Sequence, residues 1–235
     1  MIENVNIKTQ VSSLEIKSYE EIRGILRVRL MDMKDNAELL GDIVYQPVGC
    51  GLALAAYMKL PEEIAGGGVA NVPKGLIAGM GIDEAQVMED ALKGSEEKES
   101  PKLFSIMDVL AGMAMDEPSG NLLTAECEPQ QGLLVLTTKS GLLGASALFL
   151  PGMKERIAEV VGGDYYVLPS SVHEVLILPD NGAMPPADLA QMVRSINESE
   201  VAPQDRLCNR VFKYHADFRE LTIASDPDRR REMER

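Results

Sequence analysis

The sequence predicts an α+β fold in which mixed or antiparallel sheets are flanked by amphipathic helices. Short apolar runs broken by Gly and Pro, as at 52–60, are typical of strands. Other stretches, as at 186–197, repeat apolar residues every three or four positions, which is typical of helices. The two kinds of segment do not follow the regular βαβ alternation of a doubly wound sheet, so the α+β class is favoured.

The N-terminal half is predicted to open with a helix. Ser18–Glu21 reads Ser-Tyr-Glu-Glu, a capping box, and the apolar spacing after it extends the helix towards Leu40. Asp83 is predicted to cap a second helix, which gives way to a solvated loop over 94–102. Strand-like runs lie between the two helices, at 43–48, 52–60 and 68–78.

The C-terminal half is predicted to follow a Pro-, Gly- and acid-rich stretch over 116–131. We therefore expect two small α/β halves, at 1–117 and 118–224, and a disordered tail at 225–235. The expected helices lie at 106–113, 153–161 and 186–197, the last with a buried stripe of Leu189, Met192, Val193 and Ile196. The expected strands lie at 133–137, 164–168 and 172–178, with a closing hairpin at 211–214 and 220–224.

The charge of the chain restricts its partners. There are 23 Lys and Arg against 37 Asp and Glu, a formal net charge of −14. A field of that sign repels nucleic-acid phosphates and anionic membrane surfaces, so neither is an expected partner. The remaining expectation is an unknown protein or small molecule, and a basic protein fits the charge.

The cysteines indicate a reducing compartment. Cys50, Cys127 and Cys208 are odd in number and form no CxxC pair, which is neither a disulfide framework nor a zinc site. Residues 1–10 do not read as a signal peptide, and no apolar run approaches the ~20 residues of a membrane span. We expect a cytoplasmic protein.

The segment whose residues are best suited to catalysis is Pro169–Glu174, which contains Ser170, Ser171, His173 and Glu174. A hydroxyl, an imidazole and a carboxylate are the parts of a hydrolase triad. In an extended strand, however, Ser171 and His173 lie about 6.6 Å apart, and Glu174 faces the other side. The competing interpretation is that both serines bond the backbone of a turn.

Metal and cofactor motifs are not found. His215 is expected at a hairpin rim, and the sequence contains no His-x-x-x-His pair and no cysteine cluster. Gly66–Gly68 lacks the Lys and Ser/Thr of a phosphate loop, so a turn is the favoured interpretation. We therefore expect no cofactor and no bound metal.

Asp164–Pro179 forms a block with Pro-Ser-Ser-x-His-Glu at its centre. This block resembles an uncharacterised bacterial family, a domain of unknown function from anaerobic Gram-positive bacteria, and the resemblance extends over roughly residues 18–224. Further blocks that resemble the family are Met192–Asn197, Val201–Leu207, Val211–Tyr214 and Leu221–Ala224. The resemblance implies a fold unit and no activity, cofactor or partner.

Two hypotheses for the function therefore stand. The first is a non-enzymatic accessory or partner-binding protein, supported by the acidic charge and the thirteen methionines. The second is a hydrolase whose site includes Ser170 or Ser171, His173 and Glu174. A catalytic His173 has to open onto a solvent-reachable pocket, whereas a structural one is packed and bonded to backbone groups.

Overall fold

A computed structural model describes residues 16, 18–61, 68–110, 120–124, 128–169 and 171–228. The chain divides into two compact units, and the division is not a simple cut. The first unit comprises Met1–Pro47 and Gly51–Lys98, and the second comprises Val48–Cys50 and Glu99–Arg235. The main change of unit therefore falls between Lys98 and Glu99. The predicted boundary at 117/118 lies among residues 111–119, outside the described part of the chain.

The first unit is built on a four-stranded sheet with the order β1-β3-β2, and β4 also pairs with β3. The pairs β1–β3 and β3–β4 are antiparallel. The strands are β1 (Leu26–Asp32), β2 (Tyr45–Gly49), β3 (Leu52–Leu60) and β4 (Gly68–Asn71). The helices are α1 (Tyr19–Arg23), α2 (Ala37–Asp42), α3 (Lys74–Gly79) and α4 (Glu84–Lys98).

The predicted helix from Ser18 towards Leu40 is wrong over most of its length. Only Tyr19–Arg23 is helical at its start, and Leu26–Asp32 is a strand that pairs with β3 along its whole length. Leu26 and Leu30 fit the helical spacing, but Leu26, Val28 and Leu30 also alternate as in a strand, and all three are buried. Pairing with β3 decides between the two patterns, because the antiparallel ladder satisfies the backbone hydrogen bonds of β1 in the strand conformation along its whole length.

The predicted loop at 94–102 is also wrong, because α4 continues to Lys98 and β5 begins at Pro101. Gly94 and Ser95 have the composition of a loop but serve the packing of a helix. A Cβ at Gly94 would collide with the carbonyl oxygen of Leu26, and the Ser95 hydroxyl accepts the Val28 N–H at 2.9 Å. The helix thereby covers the edge of β1, which is one of the ways in which proteins protect an edge strand.

The predicted strand at 68–78 is correct only at its start, since α3 begins at Lys74. The predicted strand at 52–60 is confirmed by β3, and the predicted cap at Asp83 is confirmed by its Oδ1, which accepts the Ala85 N–H at 2.9 Å.

The second unit contains a six-stranded antiparallel sheet with the order β10-β9-β7-β8-β6-β5. Its strands are β5 (Pro101–Ser105), β6 (Leu134–Thr138), β7 (Tyr165–Leu168), β8 (Val175–Pro179), β9 (Val211–His215) and β10 (Glu220–Ser225). Its α-helices are α5 (Ile106–Leu110), α6 (Met153–Val161) and α7 (Pro186–Ser199), and 3-10 turns span Gly144–Phe149 and Pro203–Asp205. The α+β prediction is confirmed.

Helix α7 confirms the predicted helix, and two of its four stripe residues are fully buried, whereas Met192 and Ile196 are half-buried. Leu189 and Val193 are buried in a cluster with Tyr166 and Leu168, and Met192 packs against it half-buried. The predicted hairpin is confirmed by the antiparallel pair β9–β10. The strand predicted at 172–178 begins later, at Val175, but it is interior to the sheet as its apolar sequence requires.

Two further expectations fall largely outside the described residues. The stretch 116–131 is described only at 120–124 and 128–131, and the tail only to residue 228. None of the described helices combines the length and the apolar character needed to cross a membrane.

Candidate functional site

The predicted catalytic segment forms the irregular connection between β7 and β8. The Ser171 Oγ accepts the backbone N–H of His173 at 3.0 Å, and the Ser171 N–H donates to the Glu174 carbonyl at 3.2 Å. Ser171 is buried and Glu174 is half-buried. The expected turn with a hydroxyl bonded to nearby backbone is therefore confirmed for Ser171, while Ser170 lies outside the described residues.

The imidazole of His173 has a partner at each nitrogen. Its Nδ1 accepts the N–H of Leu143 at 3.1 Å, which places the proton of the neutral ring on Nε2. Nε2 lies 3.4 Å from Asp205 Oδ1. Neither ring nitrogen is thus paired with the Ser171 hydroxyl, which is the contact that a Ser–His nucleophile requires.

The same segment holds a strained turn in place. Leu143 has a φ of 54°, in the left-handed region, and its N–H is the one bound by the His173 ring. The His173 carbonyl accepts the Thr137 hydroxyl at 2.8 Å. A Cβ at Gly144 would collide with both Thr137 and His173, so only glycine fits there. Through these contacts the His173 segment acts as a brace, in the sense that it holds the turn at Leu143 and Gly144 in place. Catalytic roles for Ser170, Ser171, His173 and Glu174 remain a hypothesis.

A second group of polar residues, which sequence reasoning missed, lies on the sheet of the second unit. We call Asp164, Asp180, Lys213 and His215 the ionic cluster. The Lys213 Nζ lies 2.6 Å from Asp180 Oδ2 and 3.2 Å from Asp164 Oδ2. His215 Nδ1 lies 3.5 Å from the same Asp164 oxygen.

The antiparallel register brings these distant residues together. Asp164 precedes β7 and Asp180 follows β8, and the Asp180 N–H donates to the Asp164 carbonyl at 3.0 Å. Lys213 is directly opposite Tyr166 in the β9–β7 pair, so both side chains project from one face. The sequence offers one weak signal, which is that Lys213 stands between Phe212 and Tyr214, two buried strand residues.

The charges of the ionic cluster stabilise one another. Hydrogen bonding to Asp180 raises the pKa of Lys213, and the same bond lowers the pKa of Asp180. Burial alone would raise the pKa of Asp164, but the Ala216 N–H and Lys213 outweigh it and hold that pKa below its ordinary value. Burial raises the pKa of the neighbouring Tyr166 phenol. The arrangement is a charge-assisted network that favours a single geometry.

The ionic cluster fixes the β9–β10 hairpin. Asp164 Oδ1 accepts the Ala216 N–H at 2.9 Å, and His215 Nε2 and Thr222 Oγ1 are 3.1 Å apart across the strands. His215 is therefore at the hairpin rim, as expected. At the tip of the turn, Phe218 is 80% exposed, and Ile223 on the edge strand β10 is 45% exposed.

The described residues also bear on the binding of metals and phosphates. Within the described ranges there is no group of three or more His, Cys, Asp and Glu side chains that could hold a metal ion. Gly68 opens strand β4, and Gly66 and Gly67 lie outside those ranges.

Together these features define an α+β protein of two units. Its second unit contains a turn held by His173 and a β9–β10 hairpin held by the ionic cluster. The chain belongs to a family of unknown function, DUF5688, whose profile matches residues 1–216. No curated protein and no solved structure matches the chain.

Proposed function

We propose that this chain is a non-enzymatic accessory protein that binds a partner protein through the β9–β10 hairpin. The observation that carries the proposal is Phe218, an aromatic ring 80% exposed at the tip of a turn. Aromatic side chains are enriched among the residues that dominate binding energy at protein interfaces. A second apolar side chain, Ile223, is exposed on the same hairpin.

The rigidity of the hairpin supports the proposal. The turn that carries Phe218 is bonded to Asp164, and Asp164 is held in turn by Lys213. The N–H of Arg219, which has a left-handed φ of 53°, closes the turn on the Ala216 carbonyl at 3.4 Å. A pre-ordered loop loses less entropy on binding, so more of the contact energy appears as affinity.

The charge around Phe218 suggests the chemistry of the partner. Asp217 and Glu220 are exposed around the turn and outnumber its one exposed cation, Arg219, and the whole chain has a net charge of −14. The partner is then a protein with an apolar pocket for the ring and basic residues around it. Such complementarity speeds association and rejects acidic surfaces.

The setting that we propose is the cytoplasm of an anaerobic Gram-positive bacterium, with the Pro169–Glu174 block as a family signature. The composition supports it through cysteines without disulfide spacing and the acidic charge. In this proposal nucleic acids and membranes are not partners and no cofactor takes part. A small molecule is the alternative class of partner.

The geometry of the His173 segment argues against the alternative of a hydrolase. Leu143 and Asp205 engage the two ring nitrogens, and the Ser171 hydroxyl accepts a backbone N–H. A hydrolase would have to break these bonds before His173 could take a proton from a serine.

Site-specific photo-crosslinking tests the proposal. Phe218 is replaced by benzoyl-phenylalanine, which preserves an aromatic ring, and the protein is expressed in its native host. Met107, 66% exposed in the same unit, is the matched control position. We expect a discrete adduct with one protein from position 218 and none from position 107.

The adduct then identifies a partner whose affinity is measured directly. Phe218→Ser is expected to weaken binding about 30-fold, the effect of losing roughly 2 kcal/mol at a hot spot, whereas Met107→Ser leaves it unchanged. If position 218 gives no adduct, or if both serine variants bind the identified partner equally, the hairpin is not the binding surface.

A further inference from the structure

One face of the sheet in the first unit has an unusual polar pattern. Arg29 on β1 is directly opposite Ala55 on β3, and Asn71 on β4 is directly opposite Tyr57 on β3. Directly opposed residues share a face, and so do residues two apart along a strand. Arg29, Ala55, Tyr57 and Asn71 therefore project from the same face.

Arg29 is a half-buried cation for which the described residues supply no anion. Within that part of the chain no hydrogen bond or ion pair holds its guanidinium, and its electrostatic neighbour is the Tyr57 phenol. Burial lowers the pKa of the guanidinium below its ordinary value. A charge withdrawn from water is costly unless it is paired, so the position calls for an acceptor.

Arg27, two residues earlier on the same strand, shows the usual solution. Its side chain is 6% exposed, and its guanidinium donates to the carbonyl oxygens of Leu26 at 2.6 Å and Gly24 at 3.3 Å. In the described part of the chain, the backbone thus supplies acceptors for Arg27 and none for Arg29.

Asn71 adds an independent observation. Its side chain is 3% exposed, and within the described part of the chain its Oδ1 has no hydrogen-bond partner. A buried amide oxygen without a donor costs free energy comparable to that of a lost hydrogen bond. Within the described residues, the face therefore has a donor group without an acceptor, the Arg29 guanidinium, and an acceptor without a donor, Asn71 Oδ1.

We propose that this face binds a small oxyanion that also carries a hydrogen-bond donor, of which inorganic phosphate is the simplest. The planar guanidinium of Arg29 donates to two of its oxygens, which is the pairing that arginine makes with phosphate. The protonated oxygen donates to Asn71 Oδ1. All the residues involved belong to the first unit, so this site stands or falls independently of the proposed hairpin function.

Calorimetric titration at low ionic strength tests the site, with inorganic phosphate and sulfate as the two probes. Both are tetrahedral oxyanions, but sulfate has no proton to donate at neutral pH. We expect phosphate to bind at least about tenfold more tightly than sulfate, because sulfate leaves Asn71 Oδ1 unpaired.

Three variants assign the binding to its residues. Arg29→Met should abolish the binding of both anions, and Asn71→Leu should lower phosphate affinity to that of sulfate. Lys93→Met is the matched control, because it removes an exposed cation (66% of the side chain) from the same unit and should leave both affinities unchanged. Melting of each variant without anion confirms that it is folded.

The proposal fails if phosphate produces no binding heat, if phosphate and sulfate bind equally, or if Lys93→Met has the same effect as Arg29→Met. Should Arg29→Met not fold, the phosphate-to-sulfate ratio of Asn71→Leu still decides, since an unchanged ratio rejects the role of Asn71.

Discussion

The two units each carry a cation on a sheet face, and the two cations differ in their surroundings. Lys213 on β9 is held by Asp164 and Asp180. Arg29 on β1 has neither carboxylate nor carbonyl bound to it among the described residues. A cation that is paired within the fold stabilises that fold, whereas an unpaired one costs stability until a ligand pairs it. The difference indicates a structural role for Lys213 and predicts that Arg29 contributes less to the stability of the fold.

The largest loss of stability is expected from Leu189→Ala, against which the effects of the two cations can be measured. Leu189 is fully buried against the sheet face that carries Tyr166, so Leu189→Ala removes apolar contacts and leaves a cavity. We expect a loss of about 2–5 kcal/mol in the free energy of unfolding, measured by urea denaturation. Ser195→Ala, at an exposed position of the same helix, is the control. A loss within error for Leu189→Ala would mean that α7 does not contribute its apolar stripe to the core.

The comparison itself is tested by removing each charge with the same residue. Lys213→Met leaves Asp164 and Asp180 close together without their shared cation, and we expect a loss of about 2–3 kcal/mol. Arg29→Met removes a cation that has no partner among the described residues, so the stability of this variant without added anion should be unchanged or higher. Equal losses in the two variants would abolish the distinction between the paired and the unpaired cation.

The pH dependence of stability tests whether Lys213 stabilises the fold through its charge. The pKa values of Asp164 and Asp180 are depressed in the fold, so their contribution is present above their unfolded pKa and is lost as the pH falls through the folded values. The pKa of Lys213 is raised, so its contribution is present below its unfolded pKa and is lost as the pH rises through the folded value.

The difference in stability between the parent and Lys213→Met should therefore be greatest in the neutral range and shrink towards both ends. Urea denaturation at acidic, neutral and alkaline pH measures it, with Lys93→Met as the control for a change in net charge. A difference that is the same at all three pH values would show that Lys213 acts by packing its alkyl chain.

The amino-acid pattern was sufficient to predict a helix or strand where the local spacing of apolar residues agrees with their burial in the fold. β3 and α6 were predicted with their bounds, because each is an apolar run or stripe between turn residues. β1 was misassigned as helix, since its apolar residues satisfy both periods and only pairing with β3 decides. Gly94 and Ser95 indicated a loop, yet they are small because a helix has to approach Leu26 and Val28 closely.

The candidate sites were harder to predict than the fold, for a physical reason. Asp164, Asp180 and Lys213 are far apart in sequence and meet only through the register of three strands. The state of Arg29 depends on which acceptors are missing, and spacing carries no information about a missing partner. By contrast, the Ser171 turn was foreseeable, because Ser after Pro favours hydroxyl-to-backbone bonds.

The smallest expected losses of stability concern the turn at His173. Like Lys213, the His173 ring is bonded to other groups of the fold. His173→Ala leaves the Leu143 N–H without an acceptor and relaxes a turn with a left-handed residue, so we expect a loss of about 1–2 kcal/mol. Glu174 is half-buried, and Glu174→Ala should cost less than about 0.5 kcal/mol.

Both variants are compared with the parent in thermal melting and in a broad hydrolase screen, because this segment is where structure and catalysis compete. If the segment is a brace, His173→Ala lowers the melting temperature, and any activity changes only in proportion to the folded fraction. The opposite result is unchanged melting together with the loss of a measurable parent activity in both variants. It would mean that the contacts of the His173 ring with Leu143 and Asp205 do not stabilise the fold. His173 and Glu174 would then be catalytic, and the brace interpretation would be wrong.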